Sequence, residues 1–227
     1  MTWHLDIRDA ALEAPLFRRL VRGVKGLGTE RLRSTYQTTF WFDLRTPQCL
    51  PERAALELRK YLPPGRRVVG VEWWLSRMRT TDVRVDFHQD RDEKLALRTG
   101  RLIHPRWSSV FFLNRTRGGL LAVTDALPNE DNDSKAPDRV DFDLVAPKPN
   151  RFAVFDGSLT HGVLDALNQI PAGRLPGNPP LRLAVIFNWW HRRPEDVPTW
   201  AESGHYRSLT LLNTRPPPAY RGGRRLG

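Results

Sequence analysis

Cysteine is almost absent: the 227 residues hold one, Cys49. That excludes an intrachain disulfide and a zinc cluster built on several thiolates, and it makes a reducing cytoplasm the expected location. Long apolar runs are missing as well. The longest, such as Leu183 to Phe187, fall far short of the ~20 residues a membrane-spanning helix needs. The start, Met1-Thr-Trp-His-Leu-Asp, lacks the basic stretch and apolar core of an export signal, so no membrane partner is expected. No internal repeat is visible, which sets solenoids and propellers aside.

Acidic residues are in deficit, 25 against 36 Lys+Arg, which gives a formal net charge of +11. Polyanions, acidic metabolites or an acidic protein are therefore electrostatically welcome, and charge alone does not choose among them. Arginine is spread from Arg18 to Arg225 rather than gathered in one run, and no named DNA-binding or RNA-binding motif occurs. What the chain has in quantity is core-forming material, 40% apolar over a length that suits one domain.

Two helices are expected near the start. Ala10 to Val21 spaces Leu12, Leu16, Phe17 and Leu20 at helical intervals, and Pro51 opens a second stretch to Tyr61 with Ala55, Leu58 and Leu62 on one side. Between them, Thr35 to Leu44 is aromatic and β-branched, which predicts a strand. From residue 66 the pattern changes to short β segments: 68–78, 83–88, 108–114, 120–124, 140–145, 152–156, 161–165 and 183–190. Eight strands without alternating helices predict a double-sheet roll rather than a parallel doubly wound sheet. The acidic stretch 125–143 and the Pro/Gly-rich stretch 169–180 read as loops, and the Pro/Gly/Arg-rich end from Arg215 as a mobile tail.

Two histidines and one acid stand out by order along the chain. In Val83-Arg84-Val85-Asp86-Phe87-His88-Gln89-Asp90, strand alternation puts His88 and Asp90 on one face. His161 follows 71 residues later, directly after a β segment. Two imidazoles and one carboxylate on one face of an octahedral metal leave three positions open, the arrangement that suits non-haem Fe(II) and its O₂ chemistry. Further on, Arg182 shares a strand face with Ala184, Ile186 and Asn188. A guanidinium on a small, apolar face needs an anion, and a dicarboxylate supplies one through a planar two-bond fork. Blander readings stand beside these: an incidental polar pair for His88 and Asp90, a hydrogen-bonded strand-start histidine for His161, an ion pair with Asp156 for Arg182, and a tight turn for Gly118-Gly119.

The ordered set His88-x-Asp90, the turn Asn114-Arg-Thr-Arg-Gly118-Gly119-Leu, Phe152-Ala-Val-Phe-Asp-Gly before His161-Gly-Val, and Arg182-Leu-Ala-Val-Ile-Phe resembles the Fe(II)/2-oxoglutarate dioxygenases, nearest their prolyl-hydroxylase-like branch. The resemblance covers about residues 68 to 190. It implies a mainly β chain with N-terminal helices and a double-stranded β-helix (jelly-roll, cupin-like) core. It divides the domain into helices and an edge strand at 1–65, the oxygenase core at 66–192 and a C-terminal extension at 193–227.

The resemblance also implies Fe(II) held by His88, Asp90 and His161 as the catalytic triad, 2-oxoglutarate as cosubstrate with its distal carboxylate on Arg182, O₂ as oxidant, and stimulation by ascorbate. The activity it implies is hydroxylation of an unactivated C–H bond of an amino acid, peptidyl side chain or other small metabolite, with release of succinate and CO₂. Halogenating relatives replace the carboxylate of the triad with a small residue, so Asp90 favours hydroxylation.

The chain departs from its relatives where they place a tyrosine before the His-x-Asp and a serine two residues after the arginine; here stand Val85, Asp86 and Phe87, and Ala184. Arg84 and Asn188 are added as cosubstrate contacts by strand parity only. His104, in a loop where such folds cover substrate, and one indole of Trp189-Trp190 are candidates for substrate contact. The basic balance points to a substrate that bears a carboxylate. The alternatives are an oxygenase or demethylase acting on nucleic acid and an inactive jelly-roll binding protein. The demethylase branch carries an Arg-x-Asn-x-Thr-x-Arg signature that this chain lacks, so nucleic acid is the disfavoured partner.

Overall fold

Alternation of apolar side chains along the strands decides the layering. In the computed structural model, which describes residues 5–27, 39–79, 87–127, 141–164, 181–204 and 212–214, the longest strand is Leu181–Trp190. Its residues Leu183, Val185, Phe187 and Trp189 point one way into the largest apolar cluster, while Ala184 and Ile186 point the other way into a second one. A strand buried on both faces needs a layer on each side, and the chain supplies helices for one and a smaller sheet for the other.

The strands are β1 (Leu5–Arg8), β2 (Phe40–Phe42), β3 (Gly70–Arg79), β4 (Trp107–Phe112), β5 (Leu121–Thr124), β6 (Asp143–Val145), β7 (Arg151–Asp156), β8 (Thr160–Val163) and β9 (Leu181–Trp190). The major sheet runs β1-β7-β4-β9-β3-β2 and the minor sheet β6-β5-β8, with every pairing antiparallel. His88 bridges His161 through both backbone hydrogen bonds, 3.0 and 2.9 Å, so the segment around it continues the minor sheet beyond β8. Counting that segment as the second of eight core strands, the sheets hold strands 1-8-3-6 and 2-7-4-5, the interleaving of a jelly roll.

The helices α1 (Ala14–Gly26) and α2 (Leu50–Leu58) cover the outer face of the major sheet, and α3 (Glu93–Thr99) follows the His88 segment. Pro15 starts α1, where a missing N–H costs nothing, and Leu16, Leu20 and Val24 recur at helical spacing and join the cluster that holds Phe111, Phe152 and Val185. Leu12 is buried ahead of the helix, so α1 begins later than its apolar period suggests and runs five residues past Val21. Residues 59–61 finish α2 as a 3₁₀ turn. The Trp41 indole packs against Gly70, where any Cβ would collide with it.

The strand and helix positions expected from the sequence recur within a few residues wherever they are described. Two elements have no sequence expectation, β1 and α3. β1 is four residues long and half exposed, and only its pairing with β7 makes it a strand. The stretches 35–38, 83–86 and 169–180, most of the acidic loop and everything from 215 onward lie outside the described residues. Among the described residues, no helix is long and apolar enough to cross a membrane.

Candidate metal centre

Register places the site. On the inner face of the major sheet, one row crosses all six strands: Leu5, Phe155, Ser108, Asn188, Glu72 and Trp41. Side chains in such a row stand over one another at the spacing of direct cross-strand neighbours. The His88 bridge brings His161 above this row, and the Phe155 ring meets the His161 imidazole edge-on at 4.9 Å. Asp90 comes down onto it from the chain after His88, where Ser108 Oγ donates to its Oδ2 at 2.6 Å.

Three groups far apart in sequence thus converge. Asp90 Oδ1 lies 3.6 Å from His88 Nε2, and Asp90 Oδ2 lies 3.4 Å from His161 Nε2. One ligand atom from each residue falls within 4.8 Å of the others. Cis ligands on an octahedral ion with bonds of about 2.1 Å stand about 3 Å apart, so a small inward movement closes the set around one cation. The donor set of two imidazoles and one carboxylate fits a divalent first-row metal with open positions.

The supporting contacts favour that use. The His161 Nδ1–H donates to the Leu159 carbonyl at 3.1 Å, which leaves Nε2 with its lone pair toward Asp90. Burial pushes His161 down to about 4, against the pull of Asp90, so the ring is neutral at pH 7, the form that binds metal. Burial alone would raise Asp90. The two imidazoles and the Ser108 hydroxyl outweigh it and hold the carboxyl below the usual range. His88 is the open side of the group, its side chain 45% exposed. Gly162 lets the Phe87 ring pack where a Cβ would crowd it, so the His88 and His161 segments approach closely.

The loop after Asp90 is tied down. Asp92, 1% exposed, caps α3 by accepting the Leu95 N–H at 3.1 Å, pairs with Arg192, and donates its own N–H to the Ile103 carbonyl at 2.9 Å. His104, a sequence candidate for substrate contact, has Nδ1 2.7 Å from the Asp90 carbonyl oxygen. It supports the backbone of the loop from which Asp90 projects.

Arg182 is 1% exposed on the same inner face. Its Nε donates to the Gly119 carbonyl at 2.9 Å, its Nη1 approaches Ser76 Oγ at 3.5 Å, and its guanidinium lies 5.0 Å over the Phe112 ring. Gly118 and Gly119 both have positive φ, 74° and 68°, the conformation that aims the carbonyl at Arg182 and that a side chain would resist. Asn114 clamps the strand around it, donating to the Leu181 carbonyl at 2.8 Å and accepting the Leu183 N–H at 2.9 Å. Asp156 pairs with Arg66 at 2.7 Å. The Leu164 N–H donates to the Leu120 carbonyl, beside Gly119, and three residues of strand, about 10 Å, separate Leu164 from His161.

The remaining candidates fall differently. Asn188 is on the inner row, 2% exposed, and its Oδ1 is buried without a hydrogen-bond partner. Trp189 and Trp190 are both fully buried: Trp189 donates to Ser109 Oγ at 2.9 Å under the helices, and Trp190 to Glu72 Oε2 at 3.2 Å. Neither indole reaches an open surface, because β9 is central and covered on both sides. Arg84 lies outside the described residues. Sequence reading passed over Ser108, Asp92 and Glu72. Strand parity with Asn188 could have found Ser108 and Glu72 only if the register had been known.

No family model matches the chain, and no curated protein sequence matches it. Solved structures similar to it include a prolyl-4-hydroxylase from Pseudomonas putida, 17% identical over 85% of this chain and 90% of that one, with a TM-score of 0.46. An oxidoreductase of the 2OG-Fe(II) oxygenase family from Burkholderia pseudomallei is 12% identical over 86% and 88%, with a TM-score of 0.47. HygX from Streptomyces hygroscopicus, solved with iron bound, is 13% identical over 88% and 85%, with a TM-score of 0.45.

Proposed function

We propose that the protein is an Fe(II)- and 2-oxoglutarate-dependent dioxygenase that hydroxylates an unactivated C–H bond of an amino acid, a peptidyl side chain or another small metabolite. The observation that carries this reading is the convergence of His88, Asp90 and His161 within 4.8 Å on the inner face that also bears Arg182. In this reading His88 and His161 hold the metal through Nε2 and Asp90 through its carboxylate, leaving open positions for cosubstrate and O₂. When bound, iron with O₂ and 2-oxoglutarate supplies the oxidising power, and succinate and CO₂ are released.

The chain's own work is position and exclusion. Ser108 orients the Asp90 carboxylate, and the Leu159 carbonyl fixes the His161 tautomer. Arg182 receives the distal carboxylate, held in place by Gly119 and the Phe112 ring. The stretch between Arg182 and the metal group is lined by Ala184, Ile186 and Val110, which keep water away from a bound dicarboxylate. A ferrous ion and the buried thiol of Cys49 both call for a reducing compartment, which supports a cytoplasmic location.

The test is incubation with Fe(II), ascorbate, 2-oxoglutarate and a library of amino acids, peptides and metabolites. Succinate formation that requires Fe(II), with a product heavier by one oxygen, is the expected result. Absence of Fe(II)-dependent succinate across the library refutes it.

A further inference from the structure

The inner row contains acceptors that nothing in the proposed metal and cosubstrate chemistry uses. Asn188 sits between Ser108 and Glu72 in register, and its Oδ1 has no hydrogen-bond partner while the residue is 2% exposed. A buried amide oxygen left unpaired costs about 1–3 kcal/mol, so its retention calls for a donor that arrives from elsewhere. Beside it, the Glu72 carboxylate is half-buried with the Trp190 indole N–H and the Thr39 side chain as its hydrogen-bond partners. Among the described residues no lysine or arginine pairs with Glu72, and Asp90 and Asp92 act on it as negative charges. Arg192, two residues beyond Trp190, pairs with Asp92. In a chain of net charge +11 this is an acidic, acceptor-rich spot, with Asn188 one strand and Glu72 two strands from the Ser108 that orients Asp90.

We propose that Glu72 and Asn188 form a substrate subsite that takes a cationic nitrogen group, an ammonium or guanidinium, and so directs the neighbouring carbon chain of that substrate toward the metal group. An ammonium donates to the Asn188 oxygen and pairs with the Glu72 carboxylate at once, which satisfies the orphan acceptor and the uncompensated charge together. The inference deepens the oxygenase reading by naming the substrate class. It departs from the carboxylate-bearing substrate that overall charge suggests, because the local signs oppose the global one.

The test is calorimetric titration of the full chain, supplied with Mn(II) and 2-oxoglutarate, with Nα-acetyl-lysine amide, Nα-acetyl-arginine amide and Nα-acetyl-norleucine amide. These probes differ only in the side-chain nitrogen group. The lysine or arginine probe is expected to bind at least about tenfold more tightly than the norleucine probe, the sense in which polar sites discriminate against ligands lacking the donor. In Glu72→Gln, which keeps shape and the Trp190 contact, and in Asn188→Leu, the preference falls below about twofold. Equal binding of all three probes, no binding of any, or a preference that survives both substitutions overturns the proposal. Glu72→Gln decides alone if Asn188→Leu does not fold. Succinate formation is followed separately: selective binding without it keeps the subsite and removes the oxygenase, and succinate without selectivity does the reverse.

Discussion

The two faces of the major sheet are made by the same strands and do different work. Along β9, Leu183, Val185, Phe187 and Trp189 enter the helix-covered face, where Trp189 Nε1 donates to Ser109 Oγ, which donates to the Phe187 carbonyl. The alternate residues Arg182 and Asn188 enter the other face, where Asn188 Oδ1 is unpaired and Arg182 rests on a carbonyl, a hydroxyl and a ring. Polar groups that satisfy each other stabilise a fold. A buried acceptor left without a donor, as Asn188 Oδ1 is, marks a candidate site, because its cost is recovered when a donor binds.

The comparison breaks most sharply at the metal group. His161→Ala, and equally His88→Ala or Asp90→Ala, is expected to abolish Fe(II)-dependent succinate formation while the chain stays folded. Wild-type turnover in His161→Ala would overturn the ligand assignment. On the outer face, Phe187→Ala removes a fully buried ring and is expected to cost about 3–5 kcal/mol of stability in denaturant titration. Turnover per folded molecule should then change little. A loss of turnover with unchanged stability would show that the faces are not separate in function.

Arg182→Ala sharpens the same contrast on a single strand. Its expected effect is a rise in the 2-oxoglutarate KM of about 100-fold with a smaller change in kcat, the signature of a lost charged anchor worth about 2–5 kcal/mol. An unchanged KM would mean that Arg182 serves the Gly119 turn alone.

How much of this the sequence carried follows from the range of the interactions. The alternation in Leu181–Trp190 and the helical period of α1 are local, and so both elements were legible; the sequence also offered His88, Asp90 and His161, which the fold brings together. Ser108 and Glu72 were not, because their closeness to Asp90 and Asn188 depends on the register of β4 and β3 against β9. β1, Leu-Asp-Ile-Arg, alternates apolar and polar residues over only four positions, too few to stand out from chance, and is held as a strand by β7. The Trp189-Trp190 pair misled for a related reason: alternation assigns opposite faces, and only the layers above and below reveal that both are covered.

The finest separation of the faces is by pH, using two glutamates that burial raises to about 7, Glu52 under the helices and Glu72 on the inner row. A carboxyl with a folded value above its unfolded 4.5 contributes stability that is full below pH 4.5 and is lost as pH rises toward 7. Each glutamate should therefore tilt the stability curve across that window by on the order of 2 kcal/mol. Glu52→Gln and Glu72→Gln are each expected to flatten the curve in denaturant titrations between pH 4.5 and 7. They should differ with a ligand present. Glu52 accepts the Gln48 N–H at 2.6 Å within the core, so the effect of Glu52→Gln should be the same with or without the lysine probe. A cation beside Glu72 lowers its value again, so saturating probe should flatten the wild-type curve partway toward that of Glu72→Gln. If the probe leaves the wild-type curve unmoved, Glu72 is a buried acid like Glu52, and the inner face loses its distinction there.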